Sequence, residues 1–456
     1  MGRLFGDGPS VPRPNPEFSQ TTGIELELAQ STAGADPAGE SPVRSGMARH
    51  PVLAAILFGA VALVLFLTGI GKPETTFYDE GYYIPAAKTF LTGAPYTNPE
   101  APPMGKELMA IGIKAAGDNP LGWRVAGAVC GALTLTAIFL WTYLLTRDFE
   151  MACLAATLTL FNNFLFVMSR VAMMDAFLLF FLSWGLVAYT AALELDLRAI
   201  SRRVLLCCAG ALVGLAGACK WNAVDTLAVL LVVSFALYGA ETRPVTKASS
   251  SVARYSRHLR QIGIPSVILG LTVLPVLSYC LTYWPLCRSL RLPFGIHQLV
   301  AMNLFIWRFH VAVVVNEPIT SAWYTWPLHA FPQRGLSYLL GNPVVMWSGL
   351  AAILFCLRRF WKSLAVTEGL LVLLYAANLL QWAVTPAKGT FYYYYYPAAT
   401  ILGVALAVTL RSLPSRIFGV RVSLILLVAT AAVFLWCFPR MAHLQPPWDC
   451  ALGCWS

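Results

Sequence analysis

The residues best placed to do chemistry are the adjacent carboxylates Asp79 and Glu80 in the segment FYDEGYYIPAAKTFLTG, flanked by Phe77, Tyr78, Tyr82 and Tyr83. They follow a long apolar run by only a few residues. A carboxylate beside aromatic rings at the mouth of such a run is kept partly out of water, which raises its proton affinity toward that of a general base. Read alone, the same residues also describe a solvated loop acid among interfacial aromatics.

Cations follow at intervals. PPMGKELM brings Pro102, Pro103 and Lys106 to the start of an amphipathic stretch, GWR contributes Arg124, SRVAMMD pairs Arg170 with Asp175, and Lys220 stands at the end of a later apolar run. A phosphate at a membrane surface is the natural ligand for such a set. Each cation alone also reads as a snorkelling end-cap of its own helix.

The elements that position these groups must be membrane helices. Of 456 residues, 58% are hydrophobic and 12% charged, too little polar surface to wrap a water-soluble fold. Long runs rich in Leu, Ala and Val satisfy their backbone groups in lipid as helices rather than as alternating barrel strands. Windows of roughly twenty apolar residues predict spans at 50–70, 122–145, 151–168, 173–193, 204–219, 223–239, 262–284, 343–357, 365–384, 394–410 and 420–437. The expected fold class is an all-α integral membrane protein of about eleven transmembrane helices.

With the N-terminus in the cytoplasm, every basic cluster falls on one side: Arg147; Arg198, Arg202 and Arg203; Arg243 to Arg260; Arg358, Arg359 and Lys362; Arg411, Arg416 and Arg421. Two long loops, 71–121 and 285–342, and a C-terminal tail, 441–456, are then extracytoplasmic, the loops bearing short amphipathic helices. Residues 1–49, rich in Pro, Gly, Ser and Thr, read as a disordered cytoplasmic tail. No signal peptide is expected. The net charge of +10 sits in short loops where topology accounts for it, so nucleic acid is not an expected partner. Cys450 and Cys454 of the tail are candidates for a small disulfide loop in an oxidising exterior.

The order of an exterior Asp-Glu pair, PPxGK, the Arg of GWR and SRxxxxD resembles the protein O-mannosyltransferase family, membrane glycosyltransferases of the GT-C fold. SAWYTWPLHA (Ser321 to Ala330), GNPVVMW (Gly341 to Trp347) and KGTFYYYYYPA (Lys388 to Ala398) extend the resemblance over residues 50–440, the expected GT-C domain. It implies a polyprenyl-phosphate sugar, most often mannose, donated with inversion to Ser/Thr hydroxyls of secreted or membrane proteins at the extracytoplasmic face of the inner membrane. Asp79 matches the catalytic base and Glu80 its neighbour. Arg124, Arg170 and Lys106 match positions that hold the lipid phosphate or orient the carboxylate, with Lys220 a further candidate. Tyr82, Tyr83, Glu100, Pro103, Asp175, Trp323, Trp326, Pro327 and Tyr392 are expected around the substrate cavity. No cofactor is called for; a divalent cation is left open, and no metal ligands are assigned.

The chain departs from the family pattern where Ala101 replaces the His of His-Pro-Pro, with Glu100 standing for the upstream acid, and where Asn316 to Pro318 replaces His-Pro-Tyr. The final aromatic run carries Tyr where His is common. A second GT-C reading moves aminoarabinose or another sugar to lipid A or another glycolipid; the WYTWPL and GNP segments favour the protein-modifying branch. A transporter or scaffold would place charges in mid-span, and the last four spans hold almost none.

Overall fold

The computed structural model of the chain describes residues 50–77, 79–240, 250–313, 320–328, 341–385, 389–413, 416–417 and 420–442. The expectations for residues 1–49, Tyr78, Arg243, Lys247, Asn316 to Pro318, Lys388, Cys450 and Cys454 fall outside them.

Leu-, Ala- and Val-rich runs become helices as the lipid argument requires. Among the described residues, nine helices are long and apolar enough to cross a membrane: α4 (Pro120–Thr146), α7 (Met174–Glu194), α8 (Ala199–Gly217), α9 (Ala223–Ala240), α11 (Ile264–Ser289), α13 (Pro343–Ser363), α14 (Val366–Val384), α15 (Tyr392–Arg411) and α16 (Val422–Met441). Two shorter apolar helices, α1 (Pro51–Leu67) and α5 (Phe149–Leu160), occupy the other two predicted spans. The span predicted at 151–168 is broken, because α5 stops before Asn162 and a short α6 (Asn163–Met168) follows. Two polar Asn residues interrupt the apolar run there. Asn162 Oδ1 accepts the backbone N–H of Asn342 at 3.2 Å instead of leaving it orphaned.

The remaining helices are α2 (Glu80–Thr92) and α3 (Met104–Ala116) in the first loop, α10 (Ser250–Ile262) between α9 and α11, and α12 (Ile296–Ala312) in the second loop. The all-α expectation misses one detail. Arg416–Ile417 and Val420–Arg421 pair as a minimal antiparallel hairpin between α15 and α16.

Local chemistry sets the boundaries that matter for the site. Helix α4 starts where Asn119 Oδ1 accepts the Gly122 N–H at 3.1 Å and Pro120 fills the first turn. That start brings Arg124 to the beginning of a 27-residue helix that packs on α1, α3, α5 and α7. Helix α8 meets α11 at glycine. A Cβ at Gly210 would lie 1.6 Å from the Gly270 carbonyl oxygen, inside the π-helical turn Leu269–Val273.

Polar side chains collect at the two ends of the buried helix α7. Asp175 lies in its first turn and Glu194 is its last residue. A helix of 21 residues separates them by about 30 Å, the thickness of a hydrocarbon core. Glu194 accepts from Tyr255 and, at 2.9 Å, from Arg254, and lies near Arg147. The Asp175 end carries the candidate site.

Candidate active site

Asp79 and Glu80 are neighbours in sequence with opposite surroundings. Asp79 caps α2 through its carbonyl, which accepts the N–H groups of Tyr82 and Tyr83. Its carboxylate makes no capping bond. Instead Oδ2 accepts the Tyr393 hydroxyl at 3.1 Å, and Tyr83 adds a second hydrogen bond. Burial raises the Asp79 pKa above its ordinary value, while Lys220 and the Tyr393 bond pull it back and Asp175 adds to the rise. Asp79 is therefore a partly desolvated carboxylate held by two tyrosine hydroxyls rather than by an ion-pair fork.

Glu80 is fully buried. Its Oε1 accepts Arg124 Nε–H and the Ala172 N–H, each at 2.8 Å, and its Oε2 accepts Arg124 Nη2–H at 2.8 Å and the Phe77 N–H at 2.9 Å. Four donors fill both oxygens, so no lone pair is left for a substrate. In this geometry Glu80, expected beside Asp79 in the catalytic pair, ties the Phe77 N–H and the Ala172 N–H to Arg124.

Arg124 shows the same saturation. Besides the fork on Glu80, Nη1 donates to the carbonyls of Ile70 and Pro73 and Nη2 to that of Thr75. All five guanidinium N–H groups are engaged and the side chain is buried. Of its two expected roles, orienting the carboxylate fits this geometry and gripping a lipid phosphate does not.

The other cations separate on the same test. Lys106 is buried and spends its three N–H bonds on Asn98 O (2.6 Å), Asn98 Oδ1 (3.0 Å) and Ala101 O (2.7 Å). It clamps the chain ahead of Pro103 onto α3. Arg170 donates to the carbonyls of Phe66, Thr68 and Ala442 and lies over the Phe166 ring, tying the end of α1 to the α6–α7 turn. Lys220, in the turn between α8 and α9, gives two bonds to the buried Asp175, both at 2.8 Å. Its side chain is 20% exposed, beneath the rings of Tyr393 and Tyr394. Of the four candidate cations it is the accessible one. The Asp175 carboxylate that holds it gains from the N-terminal turn of α7.

The aromatic run divides its labour residue by residue. Tyr392, expected at the cavity, packs against Phe164 with centroids 5.1 Å apart and is buried. Tyr393 meets Asp79, Tyr394 stacks on Trp382 at 4.5 Å, and the Tyr395 hydroxyl pairs with that of Tyr375 at 2.9 Å. Tyr393, Tyr394 and Trp382 escaped the sequence reading, because a run of five identical residues does not say which ring faces which way. The second loop is bound to this run: the Ser321 N–H donates to Thr390 O at 2.8 Å and Thr390 Oγ1 donates to Ser321 O at 2.6 Å. Trp326 is buried, donates to Ser321 Oγ at 2.9 Å, and packs on Trp382 and Tyr395. Trp323 and Pro327 lie half-buried in the same 3-10 turn, Trp323–Leu328.

Tyr82 is exposed and Tyr83 buried, on opposite faces of α2. Glu100 Oε1 accepts the Asn98 amide at 2.6 Å, and its carbonyl meets His310 Nε2 at 3.0 Å. His310 was not singled out by sequence. The GNP segment is structural: Asn342 caps α13 through Val344 N–H and donates to the carbonyls of Phe161 and Thr430. Among the described residues no group of three or more His, Cys, Asp or Glu side chains gathers as a metal site.

Comparison with known proteins fits this arrangement. Residues 111–290 match the family described as dolichyl-phosphate-mannose-protein mannosyltransferase. The polyprenol-phosphate-mannose–protein mannosyltransferase of Mycolicibacterium smegmatis is 24% identical over 492 aligned positions, covering 87% of this chain and 91% of that protein. The enzyme of the same name from Mycobacterium tuberculosis is 23% identical, covering 86% and 88%. In fold, the chain superposes on the S. cerevisiae protein O-mannosyltransferase Pmt1-Pmt2 complex bound to its sugar donor with a TM-score of 0.70 at 12% identity, over 87% of this chain and 90% of that one. ArnT from Cupriavidus metallidurans bound to undecaprenyl phosphate superposes with a TM-score of 0.56 at 18% identity, over 86% and 66%. The chain is thus a relative of the protein O-mannosyltransferase family, built on the GT-C fold of membrane glycosyltransferases.

Proposed function

We propose that this chain transfers mannose from polyprenyl phosphate to Ser/Thr hydroxyls of secreted or membrane proteins at the extracytoplasmic face of the inner membrane, with the N-terminus in the cytoplasm and loops 71–121 and 285–342 outside. The observation that carries the reading is the pairing of a desolvated, unlocked Asp79 with one accessible cation, Lys220, across the Tyr393 ring. Names of the mycobacterial relatives supply the sugar, the carrier and the protein acceptor.

In the reaction, Asp79 takes the proton of the acceptor hydroxyl as its oxygen attacks the anomeric carbon. The bond from that carbon to the phosphate oxygen breaks on the opposite face, and the configuration inverts. A hydroxyl ionises far above neutral pH, so a positioned base is required. Lys220 meets the phosphate as it gains charge. Arg124 and Glu80 hold the backbone of Asp79 without touching substrate, and Lys106 and Arg170 hold the loop ends.

The test is transfer by the purified full chain from a short-chain polyprenyl-phosphate mannose to a Ser/Thr-rich peptide. Mannosylated peptide, resistant to release by phosphate-ester hydrolysis, is expected. Transfer only to a glycolipid would replace the protein acceptor with the lipid A type of reading. No transfer to either would remove the function.

A further inference from the structure

Among the described residues, His310 is the one histidine that an exterior loop brings against the site. It sits near the end of α12, exposed, with Nε2 at 3.0 Å from the Glu100 carbonyl oxygen. A carbonyl only accepts, so Nε2 carries the hydrogen and donates it. The tautomer follows: in the uncharged ring Nδ1 is bare, with its lone pair directed away from the Glu100 bond. Among the described residues none hydrogen-bonds Nδ1. The ring lies within electrostatic reach of Lys220, whose ammonium lies against the Tyr393 ring that serves Asp79. His310 is thus an exposed ring within electrostatic reach of Lys220, its Nδ1 open to a ligand that enters beside that cation.

We propose that His310 is an acceptor-binding residue, its Nδ1 accepting a hydrogen bond from an N–H or O–H of the polypeptide substrate beside the hydroxyl being modified. The proposal rests on the protein-acceptor reading above. The groups acting on the ring are Glu100 from the first loop and Lys220 from the α8–α9 turn. Burial and Lys220 hold the imidazole below its ordinary value, against the opposing pull of the Glu100 backbone bond and carboxylate, so at neutral pH the lone pair is available. Protonation converts Nδ1 to a donor and removes the interaction.

Two isosteres separate this role from a loop staple. His310→Gln keeps a donor where Nε2 reaches Glu100 and loses the Nδ1 acceptor. His310→Asn places an amide oxygen near the Nδ1 position and gives up the Glu100 bond. With the purified full chain, a Ser/Thr-rich peptide and polyprenyl-phosphate mannose, His310→Gln should raise the peptide KM about fivefold to tenfold, the worth of one neutral hydrogen bond. The donor KM should stay within about twofold, His310→Asn should be milder than His310→Gln, and the rise of wild-type peptide KM toward low pH should vanish in the Gln variant. Gln milder than Asn, or a change confined to the donor KM, overturns the proposal in favour of a staple or a phosphate contact. Thermal melts of both variants exclude misfolding as the cause. Equilibrium peptide binding without donor keeps the two readings apart: wild type that binds no peptide defeats the protein-acceptor function, whereas wild type and His310→Gln that bind it equally defeat only the role of His310.

Discussion

At the scale of single residues, the informative contrast is between Asp79 and Glu80. Adjacent positions at a helix start project about 100° apart, so one carboxylate can face a cavity while the next is sealed inside. The sequence shows the pair but not which member is free, because Arg124, which seals Glu80, is 44 positions away. Asp79→Asn should therefore abolish transfer, a fall of at least about 10²-fold, with an unchanged melt, since a base contributes roughly 10²–10⁴; an activity within about twofold of wild type would exclude the base. Glu80→Gln should lower both activity and melting temperature, because it leaves Arg124 buried with one of its charge-assisted bonds broken. The pH profile carries a signed expectation. Asp79 must be ionised to act and burial raises its pKa, so its acid limb should lie above the ordinary value of 3.8. Tyr393→Phe removes a bond that favours the ionised form, and the limb should move further up; a downward move would contradict the assigned hydrogen bond.

At the scale of elements, apolar runs were legible because lipid imposes a composition on them; among the described residues nine of the predicted spans are helices long enough to cross, 50–70 holds a shorter apolar helix, and 151–168 is broken before Asn163. Contacts between elements were not legible. Lys106 reads equally as a phosphate ligand or a clamp until Asn98 and Ala101 are seen to consume its three N–H groups. Lys106→Met should strand those acceptors in a buried place and cost about 2–5 kcal/mol, measured as a lower melting temperature in detergent; a phosphate ligand would instead show a raised donor KM at unchanged stability. The α8–α11 contact makes a second demand. A side chain at Gly210 meets a carbonyl oxygen and cannot be absorbed by a rotamer change. Gly210→Val should cost at least about 1–3 kcal/mol. Gly295→Ala, with nothing within 4 Å, should not.

At the scale of the whole molecule, the arrangement is two polar layers about 30 Å apart, joined by apolar helices. The Asp175 layer holds Asp79, Glu80, Arg124, Arg170 and Lys220, and the Glu194 layer holds Arg147, Arg202, Arg254 and His258. Lys and Arg in short loops are retained in the cytoplasm. The second layer coincides with the basic clusters at 147, 198–203 and 254–260, which is why the proposed topology puts it in the cytoplasm and the site outside. Single cysteines at Pro95 and Thr320, labelled in intact cells by a membrane-impermeant maleimide, should react from outside. A cysteine at Ser250 should react only after permeabilisation. Pro95 belongs to the loop clamped by Lys106, and Thr320 bridges to Phe391 beside the site, so both report on the face where Asp79 lies. Ser250 opens the basic helix α10, whose Arg254 and Tyr255 grip Glu194. Labelling of the Pro95 and Ser250 positions from the same side would require an even number of crossings between them, where α4, α5, α7, α8 and α9 make five, and the proposed extracytoplasmic assignment of the active site would fall with it.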